Sequence, residues 1–228
     1  MVLGVDGCKS GWVAIQLDKM GNLAGAYVGS SLAEIFRMVP DLEVAGIDMP
    51  LHLLDAPTRD ADTLTRKALG PERGRSVFPA LPQFVIEEEW LDRSLEDVNA
   101  ECRVRYGRAF SRQSLGLRRK IAEVNAAFAT GHPVIEVHPE LCFATMNEAR
   151  PMMFSKKAWG GQQERIALLE RVGIALSEYK LPQDVCGIAP DDIIDAAAAA
   201  WSARRYLQGN AESLPANPDH ATTPAIWA

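Results

Sequence analysis

The sequence predicts an α/β domain built on one mixed sheet, and three observations carry that prediction. Three short apolar runs follow one another near the start, with only turn-rich spacers between them. An amphipathic helix then precedes a fourth apolar run, and the clearest helix of the chain, rich in alanine, comes near the end. Hairpin-joined strands are antiparallel neighbours, whereas a helical crossover returns the fourth strand parallel to the first. A length of 228 residues suits one such domain with an insertion. Hydrophobic residues at 47% and charged residues at 24% exclude disordered and fibrous classes.

Each element has a local reason. Val2 to Asp6 is an apolar run, and Trp12 to Leu17 follows after Gly7-Cys8-Lys9-Ser10-Gly11. Leu23 to Val28 is the third run, joined through the turn residues Lys19-Met20-Gly21-Asn22. Ser30 and Ser31 are N-cap residues for a helix over Leu32 to Val39, which Pro40 ends. Val44 to Asp48 is a buried strand stopped by Met49-Pro50. From about 51 to 130 the character changes to helices at Thr58–Leu69, Leu95–Tyr106 and Leu117–Ala129. With no low-complexity linker on either side, this is a helical insertion into a single domain spanning 1–228. Strand character returns at Pro133 to His138, and helices are expected over Gly161–Tyr179 and Asp191–Leu207. The tail beyond Gln208 reads as irregular.

Composition removes several function classes. With 24 Lys+Arg against 30 Asp+Glu, the charge of −6 argues against coating nucleic acid through bulk charge. Cys8, Cys102, Cys142 and Cys186 contain no C-x-x-C pair, which speaks against a zinc site or a disulfide framework. The start of the chain lacks a leader pattern, and no apolar run approaches the roughly 18 residues of a membrane span. A cytoplasmic protein without membrane contact is expected.

Four carboxylates stand where the pattern does not need them. Asp6 ends a strand in GVDG, Asp48 ends another in GIDMP, Glu136 lies within VIEVHPE, and Asp195 lies on the last helix one turn after Asp192. Carboxylates are rarely buried without a partner. Placing the first and fourth strands side by side brings Asp6 and Asp48 together. Such a cluster needs neutralising, and Mg²⁺ or Mn²⁺ suits oxygen-only ligands. Two such ions could activate water and stabilise the leaving oxygen in phosphodiester cleavage. Singly, an Asp at a strand end is more often an exposed turn residue or cap, and Asp191 and Asp192 more often cap their helix, whereas Asp195 lies beyond the first turn that capping explains; the conjunction of Asp6, Asp48, Glu136 and Asp195 favours metal. His138 is a candidate for proton or substrate contact. Lys156 and Lys157, with Lys120 at the end of the basic run Arg103 to Lys120, are candidates for phosphate contact; Tyr106 and Phe110 in that run are possible stacking groups. A competing reading takes Gly7 to Gly11 as a phosphate cradle like that of actin-like phosphotransfer proteins, although no second copy of the strand-Asp-Gly pattern is present.

The segments GVDGCKSGWV (4–13), IDMPLHL (47–53), RDADTLTRKALGPERGRSVF (59–78), EVHPELCF (136–143), SKKAWGGQQERIALL (155–169) and DDIIDAAAAAWSARR (191–205) resemble the family called domain of unknown function 429, whose members are predicted nucleases with an RNase H-like fold. The resemblance implies a five-stranded mixed sheet, three antiparallel strands then two parallel, flanked by helices. It implies that Asp6, Asp48 and either Asp195 or Asp192 bind metal, with Glu136 as an added ligand. His52 stands where that pattern leads one to expect glycine. The expected activity is metal-dependent hydrolysis of nucleic acid or another phosphoester. The rival is a binding protein that keeps the fold without the chemistry, its acids satisfied by Arg, Lys or backbone N–H groups.

Overall fold

A computed structural model describes residues 1–56 and 58–228. Strands β1 (Val2–Cys8), β2 (Gly11–Leu17) and β3 (Leu23–Gly29) form the expected antiparallel meander. Cys8 pairs with Gly11, so Lys9-Ser10 is a two-residue hairpin turn. Helix α1 (Leu32–Met38) begins at Ser31, whose hydroxyl accepts from the Glu34 N–H at 3.2 Å. Strand β4 (Val44–Ile47) then lies parallel to β1, and β5 (Val134–Glu136) parallel to β4. The resulting order β3-β2-β1-β4-β5 is three antiparallel strands followed by two parallel ones, as the sequence predicts.

Both faces of the sheet are covered, which explains its continuous apolar runs. Val2, Val13, Ile15, Val44, Ile135 and Val137 point to one face; Leu3, Val5, Ala14, Ala45, Ile47 and Val134 point to the other. Helices α2 (Asp60–Arg73), α3 (Glu88–Leu91), α4 (Leu95–Tyr106), α5 (Arg112–Gly116) and α6 (Arg118–Ala129) fill the inserted region. Val98 and Cys102 of α4 and Ile121 and Val124 of α6 join α1 on the second face. The first face receives α7 (Pro139–Met146), α8 (Trp159–Arg171) and α9 (Pro190–Leu207).

The alanines of α9 let it approach the sheet closely, and Gly4 completes the fit. A Cβ on Gly4 would lie 1.9 Å from the Ala200 nitrogen, and one on Gly46 would lie 2.7 Å from the Ala199 oxygen. The residues on α9 beside this seam are thereby held against the ends of β1 and β4.

Several elements differ from expectation: the short helices α3 and α5 were not expected, and α2 runs from Asp60 to Arg73 rather than from Thr58 to Leu69. Helix α8 stops at Arg171 rather than Tyr179, because Gly173 adopts a left-handed conformation (φ 91°) and the Ile174 N–H closes on the Leu169 oxygen. Helix α7 was not foreseen; its signal is Pro139 in the first turn. The tail is not wholly irregular: β6 (Ser213–Leu214) pairs antiparallel with β7 (Ile226–Trp227), and Trp227 bridges to Val137 beside β5. His52 has φ 52°, the left-handed region that favours glycine, and its Nε2 lies 3.0 Å from the His220 oxygen of this tail. Among the described residues no helix is long and apolar enough to cross a membrane.

Candidate carboxylate site

Asp6 and Asp48 meet because β1 and β4 are parallel and in register. Val5 pairs with Ile47, so the next residue of each strand is an aspartate, and the Asp48 N–H donates to the Val5 oxygen at 3.2 Å. Strand alternation turns Asp6 away from Leu3 and Val5 and toward α9. Asp195, 2% exposed, comes from that helix. Lys156, on the segment between α7 and α8, donates from Nζ to Asp195 Oδ2 at 2.5 Å. Lys157 donates to Asp191 Oδ2 at 2.5 Å.

The electrostatics reflect too little positive charge for the acids present. Burial, followed by the charges of Asp48 and Asp195, pushes the Asp6 carboxyl well above the usual carboxylate range. Burial lifts Asp48 to about 6 against the pull of Lys156, with Glu140 adding to the rise. Asp195 also rises to about 6 through burial, despite its bond to Lys156. Burial also leads the upward shift of Asp192, with Asp191 next. For Lys156, burial favours the neutral amine, but Asp195, Asp6 and Asp48 outweigh it and hold the ammonium above its ordinary range. The Asp6 carboxylate accepts from the Gly7 N–H at 2.7 Å. Asp48 has no hydrogen-bond donor on its carboxylate among the described residues.

These groups open into a cavity of about 440 Å³, lined by Asp6, Asp48, Asp192 and Asp195 together with His138, Lys156 and Lys157. His138 Nδ1 is buried without a partner, and burial keeps its imidazole below the ordinary value. Among the described residues no three Asp, Glu, His or Cys side chains converge tightly enough to chelate a metal as they stand. The donors are nevertheless hard oxygens, the type Mg²⁺ and Mn²⁺ take. Three of them share a single ammonium.

Glu136 sits differently. Its neighbours Ile135 and Val137 face α9, so Glu136 turns to the opposite side of the sheet. There Arg59 grips it with two bonds, Nη2 to Oε1 at 2.7 Å and Nη1 to Oε2 at 2.9 Å. The Leu51 N–H adds a third at 2.7 Å. Arg59 also holds Asp62 at 2.6 Å, and Asp62 accepts the Ala80 N–H at 3.0 Å. The Glu136 carboxylate is thus filled by protein donors and ties the start of α2 to β5. Lys120 sits at the edge of the site: it reaches the Gly11 oxygen, lies 4.3 Å from the Trp12 ring centroid and packs against Gly7, where its charge is felt by Asp6 and Asp192. The basic run before it serves the insertion, with Arg105 on Glu101, Arg112 on Glu96, Arg119 on Asp92 and Arg118 on the Leu91 and Arg93 oxygens. Phe110 is buried and Tyr106 bonds Asp55, so neither is a free stacking face.

Sequence reasoning missed two groups. Arg59 and Asp62 opened one of the matched segments but carried no local mark of burial. Glu140, the last residue of the E-V-H-P-E motif and the second residue of α7, raises both Asp48 and Asp195. Its Oε1 accepts from Arg165 at 2.5 Å, while its Oε2 is buried and unpaired.

A five-stranded mixed sheet, with an acid-lined cavity where two parallel strands end, defines the class of protein. The family described as Protein of unknown function (DUF429) matches residues 4–220, and the chain belongs to it. No curated protein and no solved structure matches the chain.

Proposed function

We propose that the protein is a metal-dependent phosphoester hydrolase of the nuclease type, working in the cytoplasm, where its four unpaired cysteines suit a reducing setting. One observation carries the reading: Asp6, Asp48 and Asp195, from three separate elements, share the floor of a cavity with one ammonium among them. Such an excess of buried carboxylate is neutralised by protons or by a divalent cation. Asp6, Asp48 and Asp195 would hold Mg²⁺ or Mn²⁺, with Asp192 beside them. When bound, the ion supplies Lewis-acid charge for attack of water on phosphorus. Lys156, leaving Asp195, then offers its ammonium to a phosphate oxygen, and Lys157 adds a second positive charge at the rim. Glu136 acts indirectly, by fixing Arg59.

Calorimetric titration of Mn²⁺, beside Asp6→Asn and Asp195→Asn, tests the reading. Binding that both substitutions weaken, followed by Mn²⁺-dependent hydrolysis of bis(p-nitrophenyl) phosphate or a nucleic acid, is the expected outcome. Absence of hydrolysis across phosphodiesters, RNA, DNA and hybrid overturns it. The Lys156–Asp195 bond favours a second reading, a metal-free binding protein whose cluster is closed by its own lysine. In that case Asp6→Asn leaves ligand and partner binding unchanged.

A further inference from the structure

The carboxylate site is a walled pocket, and the walls restrict what reaches it. On one side stand the C-terminal end of α2 and the following segment 76–81; on another, α5 and the start of α6; on a third, the segment carrying Lys156. These walls are bolted together. Arg73 donates from Nε to the Met152 oxygen and from Nη2 to the Met153 oxygen, both at 2.8 Å, joining the insertion to the lysine segment. Arg165, 1% exposed, holds that segment from below, donating to the Phe154 and Gly161 oxygens at 3.1 and 3.0 Å while paired with Glu140. Arg66 pins the Val77 oxygen at 3.0 Å, and Asp62 pins the Ala80 N–H.

A space of about 440 Å³ is that of a small-molecule pocket. A nucleic-acid duplex presents its phosphates on a broad convex rod whose groove alone is about 12 Å across, far more than a pocket of about 440 Å³ encloses. The pocket is also two-sided in chemistry. Its floor is carboxylate and ammonium, whereas Met49, Val77, Phe78, Pro79 and Leu117 give it an apolar wall. Phe78 is 45% exposed, an unusual state for a phenylalanine on a wall otherwise pinned by buried bonds.

We infer that the site, read as the hydrolase proposed above, takes a single-stranded nucleotide phosphodiester one or two nucleotides long, with a base stacked on Phe78 and the phosphate over Asp6, Asp48 and Lys156. Duplex is excluded by the joined walls. A free dinucleotide and the end of a longer single strand present the same chemistry, and both should enter.

The test is equilibrium competition against a fluorescent nucleoside 5′-monophosphate, with Ca²⁺ and with EDTA, so that binding is read without turnover. Competitors are an unlabelled dinucleotide, a single-stranded 12-mer and a blunt 12-base-pair duplex. The dinucleotide and single strand should compete at similar concentrations, and the duplex at least about 100-fold more weakly. Phe78→Ala should weaken the dinucleotide roughly 10- to 100-fold, the usual loss for one stacked base, with Phe78→Trp restoring it. Phe78 is exposed enough that neither change should disturb folding, which a thermal melt checks. Equal competition by duplex, indifference to Phe78→Ala, or no nucleotide binding in either condition overturns the inference. Binding as described without any hydrolysis sinks the catalytic reading and leaves the pocket assignment standing; efficient duplex cleavage does the reverse.

Discussion

Asp48 and Asp195 each bind a proton more tightly in the folded protein than in the unfolded chain, with folded values of about 6 against the ordinary 3.8. Between those values the folded state holds more protons, so their contribution to stability is complete below pH ~4 and is lost as pH rises through ~6. Asp48→Asn removes one such group. It should raise stability at pH 7.5 by about 1–3 kcal/mol without metal, with the gain vanishing near pH 4; urea denaturation across that range measures it. A mutant that loses stability at pH 7.5 would mean that Asp48 is better neutralised than its surroundings indicate. Because metal ligation requires the deprotonated acids, Mn²⁺ should raise the melting temperature at pH 7.5 and barely at pH 5. Arg59 poses the opposite case. Arg59→Met leaves Glu136 and Asp62 buried with no counter-charge and should cost about 3–5 kcal/mol. Adding Glu136→Gln to that variant should recover part of the loss, a coupling that denaturation curves resolve directly.

At the scale of elements, the seam between α9 and the sheet sets the site. Gly4→Ala puts a methyl carbon where Ala200 backbone already stands, so the helix must move. The expected loss is about 3 kcal/mol or more, accompanied by a smaller Mn²⁺-induced rise in melting temperature, since Asp195 moves with the helix. The seam was half legible in the sequence: five consecutive alanines announce close packing, whereas nothing local says that Gly4 is the surface they meet. The acids show the same division. Asp6, Asp48 and Asp195 could be found because each interrupts an apolar pattern and the strand order brings the first two together. Glu136 interrupts a pattern in the same way, and the pattern cannot reveal whether a buried acid answers to a metal or to an arginine 77 residues earlier. Its alternation with Ile135 and Val137 did contain the answer, given knowledge of which face α9 would cover. The position of Lys120 was not legible for the related reason that a basic run has no direction until its helix is docked; here Lys120 packs on Trp12 beside Gly7, its charge within reach of Asp6 and Asp192.

Across the whole molecule, the site exists only when distant segments have come together. Asp6, Asp48, His138, Lys156 and Asp195 span nearly the full chain, and Arg73 ties the middle of the sequence to the segment near residue 152. Long-range closure of this kind slows folding, because chain entropy is lost before the contacts form. Refolding from urea should therefore recover Mn²⁺ binding in step with the slowest spectroscopic phase, not before it; earlier recovery would mean a partly folded chain already holds the pocket.

The last residues have a role that such closure alone does not describe. Strand β5 is an end of the sheet, three residues long, with one side turned away from β4. An outermost strand offers unsatisfied backbone groups to any neighbouring chain, which makes it a template for unwanted pairing between molecules. Trp227 bridges to Val137 at the end of that side, while Ile226 and Ala228 are buried in a cluster with Ala61 and Leu69 of α2 and Leu141 and Ala144 of α7. The tail therefore works as a guard on the border of the sheet, keeping one molecule from zipping onto the next. A chain cut after Gln208 should keep its central strands yet self-associate, a change that sedimentation at increasing concentration would expose.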